Sequence, residues 1–226
     1  MKGGRAKVPV VSRMSLLHHK QIRRTFGAGV VAAVAGSAVW WHHHGDERPY
    51  GPRWIADVPR PALSRGRLVR ILRPERGERM LEIGPGYGYY TRSVAEALGP
   101  TGELEILDVR GTLLDQTIER VRAHGLTNVS ATRGDAQRLP YRDGQFAGVY
   151  LVACLGEIPD RGAAIGELAR VLRPGGRLVV GETAVDPHRV RRPELIGLAK
   201  HAGLRAGVLA GRVSYFARFD SSRELT

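Results

Sequence analysis

Residues 79–98 read RMLEIGPGYGYYTRSVAEAL, and this stretch decides the fold that the sequence predicts. Its first five residues are mostly apolar and are followed at once by glycines, a pattern typical of a short buried strand. Residues Tyr89 to Leu98 have the apolar spacing of an amphipathic helix, which Gly99-Pro100 ends. A strand, a glycine-rich turn and a helix in this order indicate the start of an α/β domain.

The same alternation continues on both sides of this stretch. A helix that Pro61 opens and Pro74 ends comes before it. Further strands are predicted at 103–108, 128–132, 146–152 and 177–181, and further helices at 112–124, 163–172 and 193–202. Two β-rich runs, 204–210 and 213–219, are separated only by Gly211-Arg212 and predict an antiparallel hairpin. The pattern therefore predicts a doubly wound parallel sheet with helices on both faces and an antiparallel edge.

Composition and charge limit what this domain does. The chain has 226 residues, 42% apolar and 25% charged, which is enough to build a core. Its net charge of +13 is concentrated near the N-terminus: residues 1–73 contain 14 basic and 3 acidic residues, whereas residues 74–226 contain 21 and 19. This near-neutral remainder argues against a nucleic-acid-binding core. The single cysteine, Cys154, excludes an intramolecular disulfide and a multi-cysteine zinc site.

Three acidic residues lie at or near predicted strand ends, where sheets of this kind bind ligands. Glu82 comes two residues before the loop Gly84-Pro85-Gly86-Tyr87-Gly88, whose glycine spacing differs from the dinucleotide-binding G-x-G-x-x-G. An acid at this point opposes a pyrophosphate and suits a ligand that carries a cation. Asp108 is placed either to accept hydrogen bonds from ribose hydroxyls or to cap the next helix. Asp135 is placed either to bind an adenine amine or simply to form a turn.

With these motifs the sequence resembles the class I S-adenosylmethionine-dependent methyltransferases. More narrowly, it resembles the type 11 methyltransferase domains that include the ubiquinone/menaquinone-biosynthesis C-methyltransferases. The matching runs are MLEIGPGYGYYT (80–91), EILD (105–108), RGDAQRLPYRDGQFAGVYLV (133–152) and ELARVLRPGGRLVVGE (167–182). The resemblance implies a Rossmann-like α/β sheet of seven strands in the order 3-2-1-4-5-7-6, with strand 7 antiparallel. Ala147 departs from the family, which usually has aspartate there, so altered local hydrogen bonding is expected.

The resemblance also implies which residues bind the cofactor S-adenosyl-L-methionine. They are Glu82 near its amino group, Gly84, Gly86 and Gly88 under its methionine part, Asp108 at the ribose, Val109 beside the adenine, Asp135 and Ala136 at the adenine edge, and Leu151 with Val152 on the methionine side.

The methyl acceptor is less directly indicated. The segment after the fourth strand, ACLGEIP (153–159), lacks the Asn-Pro-Pro-aromatic signature typical of amino-group methylation, so we expect a small-molecule or lipid-like acceptor. Glu157 and His188 are the candidates for contact with it, and the alternative for Glu157 is a cap of the next helix. Tyr89 and Tyr90 either line an apolar acceptor pocket or belong to the core. No metal site is predicted, because no second ligand cluster accompanies the three histidines at 42–44.

The N-terminal region is predicted as a basic tail, residues 1–48, followed by a methyltransferase domain, 49–226, whose lead-in is 49–73. Residues 25–41, TFGAGVVAAVAGSAVWW, are uncharged but shorter than the about 20 residues that span a bilayer. They are read as a secretory or twin-arginine signal, as a membrane anchor, or as a helix lying on the membrane or the domain. We favour the last, because a span would place the domain outside the cytoplasm, away from its cofactor. A cytoplasmic enzyme at the inner face of the membrane is therefore expected.

Three alternatives to this enzyme remain open at the level of sequence. A methyltransferase-fold binding protein without turnover is disfavoured by the intact acids Glu82, Asp108 and Asp135. A nucleic-acid methyltransferase is disfavoured by the near-neutral core, although the basic tail keeps it in consideration. A nicotinamide-dependent oxidoreductase is disfavoured by the glycine spacing. The oligomeric state is not readable from the sequence.

Overall fold

The computed structural model of the protein describes residues 61–222. Its strands are β1 (Arg79–Ile83), β2 (Glu103–Asp108), β3 (Val129–Arg133), β4 (Phe146–Val152), β5 (Leu172–Glu182), β6 (Leu204–Ala210) and β7 (Tyr215–Ser221). Its α-helices are α1 (Arg65–Leu72), α2 (Thr91–Leu98), α3 (Gly111–Arg122), α4 (Arg161–Val171) and α5 (Arg192–His201). Short 3-10 turns lie at Pro61–Leu63 and Leu155–Glu157.

The seven strands form one sheet in the order β3-β2-β1-β4-β5-β7-β6, which confirms the predicted fold. Strands β1 to β5 pair in parallel, and β7 pairs antiparallel with both β5 and β6. Ile83 of β1 is level with Leu107 of β2 on one side and with Leu151 of β4 on the other. The carboxyl ends of these three central strands therefore lie together at one edge of the sheet.

Most predicted elements are present, but helix α4 begins earlier than predicted and has a different N-cap. Strands β1, β2, β4 and β6 have the predicted bounds. Helix α4 begins at Arg161, two residues before the predicted start, because the Asp160 carboxylate accepts a hydrogen bond from the backbone N–H of Ala163 at 2.8 Å. Asp160 is thus the N-cap, and the alternative that Glu157 caps this helix was wrong.

Other boundaries differ from the prediction as well: helix α2 begins at Thr91 rather than Tyr89, and strands β5 and β7 also begin elsewhere. Strand β5 begins at Leu172, which pairs with Phe146, and resumes at Arg177, which pairs with Gly148. The residues between them, 173–176, form an irregularity within the strand rather than a turn before it. The loop between β6 and β7 spans residues 211–214, because β7 begins only at Tyr215.

Tyr89 and Tyr90 belong to the core on the α1 side of the sheet. Their rings pack edge to face with centroids 4.7 Å apart, and both side chains are buried. The Tyr90 hydroxyl donates a hydrogen bond to the backbone carbonyl of Leu63 at 2.8 Å. These contacts favour the core interpretation of the two tyrosines and attach the segment before β1 to the sheet.

The predictions made for residues 1–60 concern a part of the chain that lies outside the described residues. They are the basic tail 1–48, the apolar segment 25–41, the histidines 42–44 and the first part of the lead-in 49–73. Among residues 61–222, no helix combines the length and the apolar character needed to cross a membrane.

A buried ion pair joins the amino-terminal edge of the sheet to α1. Arg177 is 6% exposed and Glu78 is 8% exposed, and the Arg177 guanidinium donates to both carboxylate oxygens of Glu78. Arg177 also donates to the backbone carbonyls of Leu72, Arg73 and Ala147. Burial by itself raises the pKa of Glu78, but the hydrogen bonds from Arg177 and the backbone outweigh it, so the pKa is lowered. The carbonyl of Ala147, where the family usually has aspartate, is thereby part of this network.

Replacing Arg177 with methionine is expected to lower the free energy of unfolding by about 3 to 5 kcal/mol, because Glu78 then remains buried without its main partner. The matched control is Arg79→Met, which removes an exposed pair with Glu103 at 3.2 Å. That control is expected to cost less than about 1 kcal/mol. Urea unfolding curves measure both values, and equal losses would contradict the importance of the buried pair.

Candidate functional site

The glycine loop after β1 holds a backbone shape that requires glycine. Gly84, Gly86 and Gly88 all have positive φ angles, of 64°, 57° and 73°. A Cβ atom placed on Gly84 would lie 2.5 Å from the Sγ atom of Cys154, which follows β4. The backbone N–H of Gly84 donates to the carbonyl of Leu107 at 2.8 Å. The loop is therefore held closely against the ends of β2 and β4.

Helix α3 supports the loop from the other side. The Thr117 hydroxyl donates to the carbonyl of Gly86 at 2.9 Å, and the Arg120 guanidinium donates to the carbonyl of Tyr87 at 3.3 Å. A Cβ on Gly88 would lie 2.9 Å from the Thr117 methyl group. Such a fixed loop presents backbone groups to a ligand without further ordering.

Glu82 is a buried acid at the base of this loop. It is 2% exposed, and the Thr91 hydroxyl, at the start of α2, donates to its carboxylate at 2.6 Å. Burial raises the pKa of Glu82 to about 7, and the hydrogen bond from Thr91 opposes this shift only in part. A cationic group placed beside Glu82 would therefore be stabilised by its charge.

Asp108 lies at the end of the neighbouring strand β2. Its side chain is 7% exposed, and its Oδ1 atom accepts a hydrogen bond from the backbone N–H of Arg110 at 2.9 Å. Burial raises its pKa, and this hydrogen bond and the charge of Arg110 oppose the shift. Arg110 also reaches Glu157, with 3.5 Å between Nη2 and Oε2. The carboxylate thus turns the chain after β2 and retains further acceptor capacity for a ligand.

Asp135 and Val109 lie farther along the same edge. Asp135 is exposed, and both of its carboxylate oxygens accept hydrogen bonds from the Gln137 side chain, at 3.1 and 2.9 Å. These contacts fit the turn alternative, and the adenine-edge role of Asp135 and Ala136 stays a prediction. Val109 is 54% exposed, unusually so for a valine that directly follows a buried strand.

The remaining predicted site residues are Leu151, predicted to contact the cofactor, and the acceptor candidates Glu157 and His188. The Leu151 side chain is fully buried in the core, so only its backbone is able to face a ligand. Glu157 pairs with Arg110, on the Asp108 side of the edge. His188 lies in the loop after β5, and its backbone packs closely against Gly156. The segments that carry Glu157 and His188 therefore meet at Gly156.

Glu182, the last residue of β5, is a functional candidate that sequence reasoning missed. It is fully buried, and within residues 61–222 neither carboxylate oxygen has a hydrogen-bond partner of normal geometry. Burial raises its pKa to about 8, the charge of Asp186 adds to the shift, and the backbone of Val190 lowers it only partly. Its position at a strand end is the same signal that identified Asp108.

Cys154 lies among these acids at the carboxyl edge. Burial raises the pKa of its thiol, and the charges of Glu157, Asp108 and Glu182 raise it further. The side chain therefore stays a neutral thiol and is a poor nucleophile. Its structural contribution is contact with Gly84, which connects the end of β4 to the glycine loop.

The strand order, the glycine loop and the acids at the strand ends define a methyltransferase fold. Residues 80–176 match the family model described as a methyltransferase domain. A solved S-adenosylmethionine-dependent methyltransferase from Aquifex aeolicus superposes with a TM-score of 0.66 at 18% identity, covering 76% of this chain and 98% of that chain. The [4+2]-cyclase SpnF superposes with a TM-score of 0.58 at 23% identity, covering 64% of this chain and 58% of that one. Likeness of fold alone thus extends beyond proteins named methyltransferases.

Curated relatives share the central part of the sequence. A demethylmenaquinone methyltransferase from Geobacillus kaustophilus is 34% identical over 117 residues, covering 52% of this chain and 50% of that protein. The ubiquinone/menaquinone biosynthesis C-methyltransferase UbiE from Pseudomonas aeruginosa is 36% identical over 107 residues, covering 47% of this chain and 42% of that protein. The chain spans about half the length of the curated relatives it matches.

The raised pKa of Glu82 predicts a stability that depends on pH. Because about 7 lies above the ordinary value of 4.5, the folded state holds this proton more tightly than the unfolded chain. The resulting stabilisation is full below pH 4.5 and is lost as the pH rises to about 7. The free energy of unfolding of the natural protein, relative to Glu82→Gln, should fall by up to about 3 kcal/mol over this range. Urea unfolding of both proteins at pH 4.5, 6 and 8 measures it, and pH-independent differences would contradict the buried state of Glu82.

The contact between Gly84 and Cys154 predicts a specific coupling. Gly84→Ala is expected to cost about 2 to 3 kcal/mol, from positive φ and from the clash with Cys154. Gly175→Ala is the control, because Gly175 has a similar φ of 68° and nothing within 4 Å of an added Cβ. Unfolding measurements should show that Cys154→Ala offsets part of the cost of Gly84→Ala and none of the cost of Gly175→Ala. Additive costs at Gly84 and Cys154 would exclude the clash.

Proposed function

We propose that the protein transfers a methyl group from S-adenosyl-L-methionine to a small-molecule or lipid-like acceptor. The observation that carries this proposal is the pairing of two buried acids, Glu82 and Asp108, beside a rigid glycine loop. In a domain that matches a methyltransferase family, these residues stand where a cationic amino group and a ribose need acceptors. Activity, cofactor and acceptor of the whole protein are parts of this one proposal.

The residues present fit that cofactor. A Cβ on Gly84 would clash with Cys154, so the glycine holds the loop backbone against the end of β4 and beside the acids of the strand ends. The side chains that lower the pKa of Glu82 are the neutral hydroxyls of Thr91 and Tyr150, and no cation is bonded to its carboxylate in the described part of the chain. Asp108 accepts at Oδ1 from a backbone amide and retains capacity for ribose hydroxyls. Val109 offers an exposed apolar surface for the adenine ring. Asp135 and Ala136 complete the proposed set of adenine-binding residues.

The protein contributes position and exclusion of water to this reaction. Bound S-adenosyl-L-methionine supplies a methyl group that its sulfonium already activates. The glycine loop and Asp108 fix one end of the ligand, so the acceptor needs only to be placed in line. Where the acceptor loses a proton, Glu182 would accept it only in its ionised form, because burial raises its pKa to about 8. Glu157 and His188 keep the acceptor-side role proposed from sequence.

The relatives suggest which acceptors to screen first. Their names place them in menaquinone and ubiquinone biosynthesis, so quinone precursors come before other lipids. Peripheral attachment of residues 25–41 to the inner face of the membrane would bring a cytoplasmic enzyme to acceptors of this kind. The proposal therefore includes attachment to the inner face of the membrane and does not include nucleic acid as the acceptor.

Calorimetric titration with S-adenosylhomocysteine tests the cofactor site. Asp108→Asn is expected to weaken binding about 10- to 100-fold, because ribose hydroxyls lose a charged acceptor. Asp115→Asn, at an exposed position on α3, is the control of equal charge change and should leave affinity unchanged. Binding of NAD by the full chain, or no binding of S-adenosylhomocysteine by a folded protein, would overturn the proposal.

A further inference from the structure

Four arginines line a pocket at the carboxyl edge of the sheet. The pocket has a volume of about 380 Å³, and Arg189, Arg191, Arg192 and Arg212 contribute to its lining. The other lining residues are apolar or aromatic, among them Val190 and Tyr215. No acidic residue belongs to the lining. The pocket therefore combines a concentrated positive charge with apolar surface.

Within the described residues 61–222, no carboxylate forms a close ion pair with these arginines, although burial raises the pKa of Glu182 and the charge of Arg189 lowers it in part. Arg189 donates to the carbonyl of Val213 at 3.3 Å, and Arg192 donates to the carbonyl of Gly211 at 3.0 Å. No ion pair of Arg189, Arg191, Arg192 or Arg212 is found in that range, whereas nearby Arg161 pairs with Glu194 at 2.8 Å. Two guanidinium groups are thus positioned by backbone carbonyls, which hold them in place without cancelling their charge.

The pocket lies on the opposite half of the edge from the proposed cofactor residues. Glu82 and Asp108 are at the ends of β1 and β2, whereas the pocket is formed by the loop after β5, the start of α5 and the β6–β7 loop. Strand β4 lies between the two halves in the sheet. A ligand in the pocket would therefore approach the cofactor region from the β5 side.

Glu182 connects the two halves. It is level with Tyr215, a lining residue whose hydroxyl donates to the carbonyl of Val190 at 2.7 Å. On its other side the neighbouring strand β4 leads into Cys154, which touches the glycine loop. Pocket, Glu182 and glycine loop thus form a continuous series of contacts and paired strands along one edge.

We propose that this pocket is the acceptor subsite and that the acceptor is an amphipathic molecule with a phosphate or carboxylate group held by the four arginines. The inference rests on the proposed function, because it names the substrate class of the same site. Planar guanidinium groups bind both oxyanions through paired hydrogen bonds, and the apolar lining covers the rest of the molecule. Arg191 and Arg212 are exposed, so an oxyanion entering the pocket would replace water with paired hydrogen bonds to guanidinium groups.

The test uses 1-naphthyl phosphate and 1-naphthol, which share an apolar body and differ in charge. Calorimetry with the full chain should show that 1-naphthyl phosphate binds and that 1-naphthol binds at least about tenfold more weakly. The pocket variant Arg191→Gln/Arg212→Gln should lose about tenfold or more in affinity for 1-naphthyl phosphate. The control Arg122→Gln/Arg205→Gln removes the same charge from exposed positions and should change affinity by less than about twofold.

Titrations repeated with saturating S-adenosylhomocysteine locate the anion. Undiminished binding of 1-naphthyl phosphate supports a separate acceptor subsite, whereas displacement would place the anion in the cofactor site and overturn the inference. Equal losses in the pocket and control variants would also overturn it, as would no binding by the natural protein. Arginine-dependent binding to phosphatidylglycerol vesicles without binding of 1-naphthyl phosphate would identify a membrane surface instead, which likewise overturns the inference.

The same experiment separates this inference from the proposed function. S-adenosylhomocysteine affinity reports the cofactor site, and the pocket variant should keep it within about twofold of the natural protein. If the natural protein binds S-adenosylhomocysteine but not 1-naphthyl phosphate, the acceptor class is refuted and the methyltransferase proposal stands. Absence of S-adenosylhomocysteine binding, with anion binding retained, refutes the methyltransferase proposal and with it the assignment of the pocket to an acceptor.

Discussion

The burial of glutamates with and without an arginine partner underlies both the stability and the chemistry of this sheet. Glu78, just before β1, is paired with Arg177, and its pKa is lowered although burial opposes this. Glu82 and Glu182, at the carboxyl ends of β1 and β5, lack such a partner among the described residues, and burial raises their pKa values. At the amino-terminal edge the buried carboxylate of Glu78 is therefore paired with a cation. At the carboxyl edge the buried carboxyl groups of Glu82 and Glu182 are not, and a ligand would stabilise their charged forms.

Topology explains why those groups collect at one edge. Right-handed crossovers return each parallel strand in the same direction, so the residues that end the strands share one edge. The antiparallel strand β7 then brings its first residue, Tyr215, to the level of Glu182, and the β6–β7 loop joins the same edge. Acids at β1 and β2 and arginines around β5, β6 and β7 consequently face different halves of one continuous site region.

The rigidity of the glycine loop has a cost that the surrounding packing offsets. Three residues with positive φ and a tight approach to Cys154 leave little freedom at the end of β1. Hydrogen bonds from Thr117 and Arg120 of α3 hold the loop in this shape. A loop ordered in advance binds its ligand without further loss of conformational entropy, which is the physical reason for such support.

The sequence by itself determined the alternation of strands and helices, the terminal hairpin, the glycine loop and the positions of Glu82 and Asp108, whereas the strand order came from the resemblance to class I methyltransferases. Apolar runs, helix stops and glycine spacing are local signals, and the order of elements then restricts the topology. Sequence placed the start of α4 and the start of β5 less well, because the Asp160 cap and the irregularity at 173–176 depend on side-chain contacts and strand pairing. Tertiary structure alone decided that Tyr90 belongs to the core and that Arg212 joins Arg189, Arg191 and Arg192. It also decided that Glu182 is buried with no hydrogen-bond partner of normal geometry among the described residues. Burial and contact between residues distant in sequence depend on the packed fold, and no local pattern encodes them.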